Sequence, residues 1–222
     1  MPLLSVIIPV YNESQAIGQA LDKINSVAID KEIIIVDDGS SDGTDKVLRG
    51  ARCSELKVIH HSSKRGRGAA FLTGLASASG EYVIAQNGNL EYEPNDYPKL
   101  ISAIKENNVD MVLGARFRRG YRGLFTYRLG NRLLTGLLNL LFGCHLHDYA
   151  TCYKLACRST FYDLNLQGRG FDIDVEIISK AQKKKKRLLE IPISYYCKAG
   201  KKIRWKDGVW TIFYMFKYRF WR

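Results

Sequence analysis

Several things are missing from this 222-residue sequence. Its five cysteines show no short paired spacing, which argues against a disulfide framework and fits a reducing compartment. No apolar run reaches the ~18 residues of a membrane span. Met1 to Ser5 carry no charged leader ahead of the first apolar run, so no signal peptide is expected. Internal repeats are absent, and the one low-complexity stretch is Lys183 to Arg187. Acidic residues are scarce beside basic ones, 22 against 34, for a net charge of +12. That imbalance favours an anionic partner: nucleic acid, an anionic membrane or phosphate-bearing small molecules. Neither a basic recognition helix nor an RNA-binding aromatic motif is present, so no nucleic-acid partner is expected.

The residues that are present centre on Glu32 to Thr44, EIIIVDDGSSDGT. Ile33 to Val36 run straight into Asp37 and Asp38, and a turn cluster follows. Continuous β-branched residues suit a strand buried on both faces of a parallel sheet. Ligands of open α/β sheets sit beyond the carboxyl ends of such strands. Asp38 there is either a ligand to a ribose or base edge, or a cap and turn residue.

The rest of the chain alternates in the same way. Strands are expected at Leu4 to Val10, Leu56 to His60 and Glu81 to Ala85. Helices are expected from the Tyr11–Ser14 turn to Ile29, over Thr44 to Arg52 and over Ala69 to Ser79. The second half predicts a helix over Asn95 to Asn107, a strand at Asp110 to Leu113 and a mobile loop over Arg116 to Arg128. A helix over Asn131 to Phe142, a strand-like Asp148 to Ala156, a helix near Ser159 and another over Phe171 to Lys184 follow. A last strand spans Leu188 to Tyr196, with Pro192 placing it at an edge. The fold class is therefore α/β: one domain over 1–206 with a mainly parallel Rossmann-like central sheet flanked by helices. An aromatic amphipathic helix over 207–222 belongs to the same domain.

Some signals are discounted. Gly66-Arg67-Gly68 lacks the third glycine of a dinucleotide fingerprint and reads as a loop whose backbone approaches a ligand closely. His145, His147, Cys152 and Cys157 fit no zinc spacing. Lys183 to Arg187 reads as a solvated helix end, or as a contact for anionic headgroups. The tail, with Trp210, Phe213, Tyr214, Phe216, Tyr218, Phe220 and Trp221 beside Lys217, Arg219 and Arg222, covers the sheet or a partner subunit, or lies in a membrane interface.

Seven segments in order carry a resemblance: SVIIPVYNE, EIIIVDDGSSDGT, GRGAAFLTGLASASGEYVI, LGARF, DYATCYK, GFDIDVEI and GKKIRWKDG. The chain resembles family 2 glycosyltransferases of the GT-A fold, in the branch that makes polyprenyl-phosphate sugars, such as dolichyl-phosphate mannose synthases and bacterial undecaprenyl-phosphate glycosyltransferases. The resemblance implies inverting transfer from a nucleotide-sugar donor to a lipid-phosphate acceptor at the cytoplasmic face of a membrane. It implies that Pro9, Tyr11 and Glu13 border the base, that Asp38 contacts base or ribose, and that Gly66, Gly68 and Asn87 complete the nucleotide site. Arg116 and Arg128 would hold the diphosphate or the acceptor phosphate, and Asp148 would act as base or orient the acceptor. Relatives in this branch often continue into membrane helices where this sequence ends, so attachment is expected to be peripheral. Oligomeric state is not readable.

One departure stands out. Where the family usually has Gln-Asp-Ala-Asp-Leu, this chain has Gln86-Asn87-Gly88-Asn89-Leu90, followed by Glu91. The family's aspartates hold Mg2+ or Mn2+. An amide oxygen ligates a hard cation without bringing charge, so affinity must fall. Three readings stay open: weak metal binding through Asn87, Asn89 and Glu91; a metal-independent site using Lys64, Arg65, Arg67, Arg116, Arg118 or Arg119; or binding without turnover.

Overall fold

The computed structural model describes residues 1–51, 53, 55–116, 125–197 and 205–220. Arg52, Phe117, Arg118, Arg119, residues 198–204, Trp221 and Arg222 therefore lie outside the described residues. In chain order the elements are β1 (Leu4–Val10), α1 (Ile17–Ser26), β2 (Lys31–Asp37), α2 (Thr44–Arg49), β3 (Leu56–His60), α3 (Arg67–Ser77) and β4 (Tyr82–Ala85). A short 3-10 turn, Pro94–Asp96, leads into α4 (Tyr97–Glu106) and β5 (Met111–Ala115). They are followed by α5 (Phe125–Phe142), β6 (Lys154–Cys157), α6 (Arg158–Asp163), α7 (Asp172–Lys183), β7 (Leu188–Pro192) and α8 (Trp205–Phe220).

The strands form a seven-stranded sheet in the order β3-β2-β1-β4-β6-β5-β7. β3, β2, β1 and β4 are parallel, with Val10 beside Asp37 and Asp37 beside His60. β6 enters antiparallel between β4 and β5, and β7 pairs parallel to β5 at the edge, where Pro192 costs no ladder bond on its outer side. β1 and β2 are buried almost throughout, which is why their sequences run apolar without alternation. Ile17, Ala20, Leu21 and Ile24 form the inward stripe of α1. On the other half of the molecule α8 lies against α7 and α5.

Several expected elements differ, among them the last strand, which ends at Pro192 and not at Tyr196. Residues Asp148 to Tyr153 are irregular, and only Lys154–Cys157 is strand. The irregular amides are satisfied by side chains instead of a ladder: Asp148 N–H donates to Glu190 Oε1 at 2.9 Å and Cys152 N–H to Tyr92 Oη at 2.8 Å. A further difference is α3, which starts at Arg67, so Arg67 and Gly68 sit on a helix and not in a loop. α5 likewise starts at Phe125, inside the segment expected to be a loop.

Candidate functional site

Because β2, β1 and β4 are parallel neighbours, their carboxyl ends open at one end of the sheet. Asp38 emerges on one side of β1 and the Asn87–Glu91 turn on the other. The loop after β1 is fastened to the loop after β2. Asn12 N–H donates to Ser40 Oγ at 2.9 Å, Ser41 N–H to Asn12 Oδ1 at 2.9 Å, and Glu13 N–H to Thr44 Oγ1 at 3.0 Å. Asn12 adopts φ 56° to do so, a conformation asparagine tolerates well. Tyr11 is partly exposed, and the Lys64 ammonium sits 3.7 Å from its ring centroid.

Asp38 is buried and its carboxylate serves the protein itself. Oδ1 lies 2.7 Å from His61 Nδ1 and accepts the Arg65 N–H at 2.8 Å; Oδ2 accepts the Gly66 N–H at 2.7 Å. Burial alone would raise its pKa, but these hydrogen bonds hold it below the ordinary aspartate value. Asp38 thus shapes the 65–66 backbone beside the crevice, while the expected direct contact with base or ribose would compete with those bonds.

The two glycines of that loop were expected to admit a ligand. The backbone they admit is the chain's own. A Cβ on Gly66 would lie 2.3 Å from the Arg169 carbonyl oxygen, and one on Gly68 would lie 2.3 Å from that of Gly168. Gly66 also has φ +103°, so a side chain there is excluded twice. Ala69 N–H donates to the Arg169 carbonyl at 3.0 Å and closes the contact.

The turn after β4 folds onto itself. Asn89 Nδ2 donates to Glu91 Oε2 at 3.1 Å, and Glu91 N–H donates to Asn89 Oδ1 at 3.2 Å. Glu91 is buried, and Asn87 is half-buried. A Cβ on Gly88 would lie 2.6 Å from Val10 Cγ1, so the turn is packed against the end of β1. Among the described residues no group of three His, Cys, Asp or Glu side chains is placed to hold a metal. With one buried carboxylate, and an amide oxygen already taken by a backbone N–H, Asn87, Asn89 and Glu91 do not fit a hard divalent cation.

Arg116 follows β5 and meets Asp148 fork to fork. Its Nε is 2.7 Å from Oδ2 and its Nη2 is 2.7 Å from Oδ1. Arg116 N–H also reaches Oδ2, at 3.1 Å, and Asn131 Nδ2 reaches Oδ1 at 3.1 Å. The Arg116 guanidinium lies 5.3 Å from the Tyr195 ring centroid. Burial works against its charge, but Tyr92, Asp148 and Tyr195 hold its pKa well above the ordinary value. Asp148 is fully buried and its oxygens are engaged by four donors, which leaves it poorly placed as the expected base. Arg128 is exposed in the first turn of α5.

Sequence reasoning missed a buried ionic cluster. Asp174 of α7 takes Arg67 Nη1 at 2.6 Å and Lys154 Nζ at 2.6 Å. Arg67 Nη2 lies 3.2 Å from Cys152 Sγ, which in turn lies 3.3 Å from the Ala85 carbonyl oxygen. The available signal was charge in apolar surroundings: Asp174 within GFDIDVEI and Lys154 between Tyr153 and Leu155.

Away from the crevice, α8 exposes Trp210, Phe213, Phe216 and Phe220, and α5 exposes Leu129, Leu133 and Leu140. Among the described residues no helix is long and apolar enough to cross a membrane.

The sequence pattern described as Glycosyl transferase family 2 matches residues 5–164. The chain is 28% identical over 172 residues to a dodecaprenyl-phosphate galacturonate synthase of Rhizobium johnstonii, covering 74% of this chain and 51% of that protein. It is 28% identical over 207 residues to a dolichol-phosphate mannosyltransferase of Pyrococcus furiosus, covering 88% and 57%. The chain thus spans about half the length of the curated relatives it matches. Its fold is similar to that of glucosyl-3-phosphoglycerate synthase of Mycobacterium tuberculosis in complex with uridine diphosphate, at TM-score 0.77 and 19% identity, covering 98% of this chain and 80% of that one. A further structure of the same enzyme holds Mn2+ with uridine diphosphate and glucosyl-3-phosphoglycerate. With a matching pattern over most of its length and the GT-A architecture around the crevice, the chain belongs to glycosyl transferase family 2.

Proposed function

We propose that this chain moves a sugar from a nucleotide-sugar donor to a polyprenyl phosphate at the cytoplasmic face of a membrane, by a single inverting displacement at the anomeric carbon. The observation that carries the choice of acceptor is the Arg116–Asp148 fork. A hydroxyl acceptor needs a base near the reacting carbon, and Asp148 is spent on Arg116. A phosphate acceptor is already an anion at neutral pH and needs a fixed cation to receive it, which the fork provides. The relatives' names, a dodecaprenyl-phosphate synthase and a dolichol-phosphate transferase, point to the same acceptor class.

In this reading Pro9, Tyr11 and Glu13 border the base, and Asp38 sets the 65–66 backbone against it. Asn87 faces the donor's diphosphate. Arg116 and Arg128 receive the acceptor phosphate, with Asp148 as the positioning residue behind Arg116. The exposed aromatic face of α8 and the leucines of α5, flanked by Arg128, Arg132, Lys217 and Arg219, rest on an anionic membrane surface. A screen of labelled uridine- and guanosine-diphospho-sugars with vesicles containing a polyprenyl phosphate tests the proposal. Label entering the lipid from at least one donor supports it; no lipid product and no donor hydrolysis from any donor, with Mn2+ present or absent, removes it.

A further inference from the structure

Among the described residues the cluster around Asp174 is one anion short. Arg67 and Lys154 bring two cations to one carboxylate, Asp174. The neighbouring Cys152 adds no charge, because burial raises its pKa. Lys154 is enclosed, and its ammonium is divided between Asp174 and the Thr151 carbonyl. Buried cations without full compensation are costly, and the surplus here is not hidden at random. The same small cavity is lined by Pro9, Arg67, Ala85, Cys152, Lys154 and Asp174, with apolar Phe and Ile side chains of α3, α6 and α7 making up the rest of its wall. Pro9 and Ala85 lie at the carboxyl ends of β1 and β4, and Asn87 is two residues beyond Ala85. The Arg67 guanidinium is one sulfur atom away from the Ala85 carbonyl.

Arg67 also keeps capacity. A guanidinium has five N–H donors. One reaches Asp174 and one reaches Cys152, and the others have no partner among the described residues. The side chain is 21% exposed, and the exposed Phe171 ring centroid lies 5.9 Å from its guanidinium carbon. The other candidate cations are occupied or placed elsewhere. Lys64 rests on Tyr11, Arg65 is exposed, and Arg116, paired with Asp148, is the cation assigned above to the acceptor phosphate. Arg118 and Arg119 lie outside the described residues.

We propose that Arg67, clamped by Asp174 and backed by Lys154, is the fixed cation that receives the donor's diphosphate, supplying the charge that the Asn87–Glu91 turn does not gather from a divalent ion. The inference rests on reading the crevice as a nucleotide-sugar site. Asp174 fixes the fork in place, while Lys154 cancels Asp174's charge and leaves Arg67's for the ligand. A diphosphate arriving there completes the ionic count of the cluster.

Calorimetric titration with uridine diphosphate and guanosine diphosphate, each in EDTA and in Mn2+, tests this, with uridine and guanosine as controls lacking phosphate. For the unaltered protein, at least one diphosphate is expected to bind as well in EDTA as in Mn2+. Arg67→Gln is expected to weaken that diphosphate roughly 10- to 100-fold, the size of a lost charge-assisted contact, and to leave the nucleoside's affinity unchanged. If Arg67→Gln does not fold, Arg67→Lys decides, since it keeps a partner for Asp174 but loses the fork. A several-fold loss for the diphosphate alone is then expected. Binding that vanishes in EDTA and returns with Mn2+ overturns this inference and leaves the transferase reading standing. So does an Arg67 variant with unchanged diphosphate affinity, or one that weakens nucleoside and diphosphate equally. No binding of either nucleotide under any condition overturns both.

Discussion

His61 Nδ1 lies 2.7 Å from Asp38 Oδ1, with both side chains buried beside the crevice. The contact exists because β3 runs parallel to β2 with His60 next to Asp37, which delivers His61 to the carboxylate one residue later. Together with the Arg65 and Gly66 amides it makes Asp38 a structural anchor for the edge of the crevice. Asp38→Asn is expected to cost about 1–3 kcal/mol at neutral pH, as buried donors lose a charged acceptor.

The pH dependence follows from the same carboxylates. Asp38 is held below its ordinary pKa by hydrogen bonds that outweigh burial. Asp174 is held below its own by Arg67 and Lys154, again against burial. A depressed carboxylate stabilises the fold fully above its unfolded pKa and loses that contribution as pH falls through the folded value. The melting temperature should therefore hold through mildly acidic pH and fall below about pH 4. The gap between the unaltered protein and Asp38→Asn should narrow over that acid range. A gap that widens on acidification would contradict the assignment.

Asp148 and Arg116 should behave as a unit. Removing one partner strands a buried charge, so Asp148→Asn is expected to destabilise by about 3–5 kcal/mol. If Asp148 only positions Arg116, then Asp148→Asn and Arg116→Gln both raise the KM for the lipid phosphate, and the double variant is little worse than either single one. A loss in kcat confined to Asp148→Asn, with KM unchanged, would restore it as a base.

The turn after β4 can be given carboxylates. Asn87→Asp with Asn89→Asp removes the amide donor that holds Glu91 and places like charges together. The variant is expected to be less stable than the parent without metal and to gain stability with Mn2+. A rise of about 2.7 kcal/mol corresponds to metal at 100 times its dissociation constant. The parent should show little such gain, measured by thermal unfolding. Equal gains in both would mean the amide turn holds metal as it stands.

The face of α8 gives a prediction that leaves the fold alone. Trp210 and Phe213 are 59% and 44% exposed, so Trp210→Glu with Phe213→Glu should change stability by less than about 0.5 kcal/mol per site. Each ring buried in an interface contributes on the order of 1.5–3 kcal/mol. Co-sedimentation with anionic vesicles should fall at least about tenfold, and a variant that still sediments would remove α8 from the membrane contact.

Much of the half built on β1 to β4 was legible from local pattern. The apolar run Ile33 to Val36 ending in acids placed Asp38 at a strand end, and Pro192 marked β7 as an edge. The second half was less so. Asp148 to Tyr153 looked like a strand because most of its residues are apolar or aromatic, yet Tyr92 and Glu190, distant in sequence, meet its amides and release it from the sheet. The insertion of β6 between β4 and β5 is likewise a matter of partner choice, which no local pattern carries. The Arg67–Asp174–Lys154 cluster unites three separate segments, and the self-closure of Asn89 on Glu91 depends on turn geometry. At Gly66 and Gly68 the sequence shows that a close approach is accommodated, but not that the 168–169 backbone makes it, since a ligand and a neighbouring segment exclude a Cβ alike.

The most direct test of the account pairs two acceptors that differ only in the phosphate. With the donor that the screen selects, transfer of label to a polyprenyl phosphate should be readily measured in vesicles, and transfer to the matching polyprenol should be absent. Arg116→Gln should weaken the first, through a raised KM for the lipid phosphate, without creating the second. Equal labelling of the phosphate and the alcohol, or labelling of the alcohol alone, would contradict the claim that the acceptor side offers a fixed cation in place of a base.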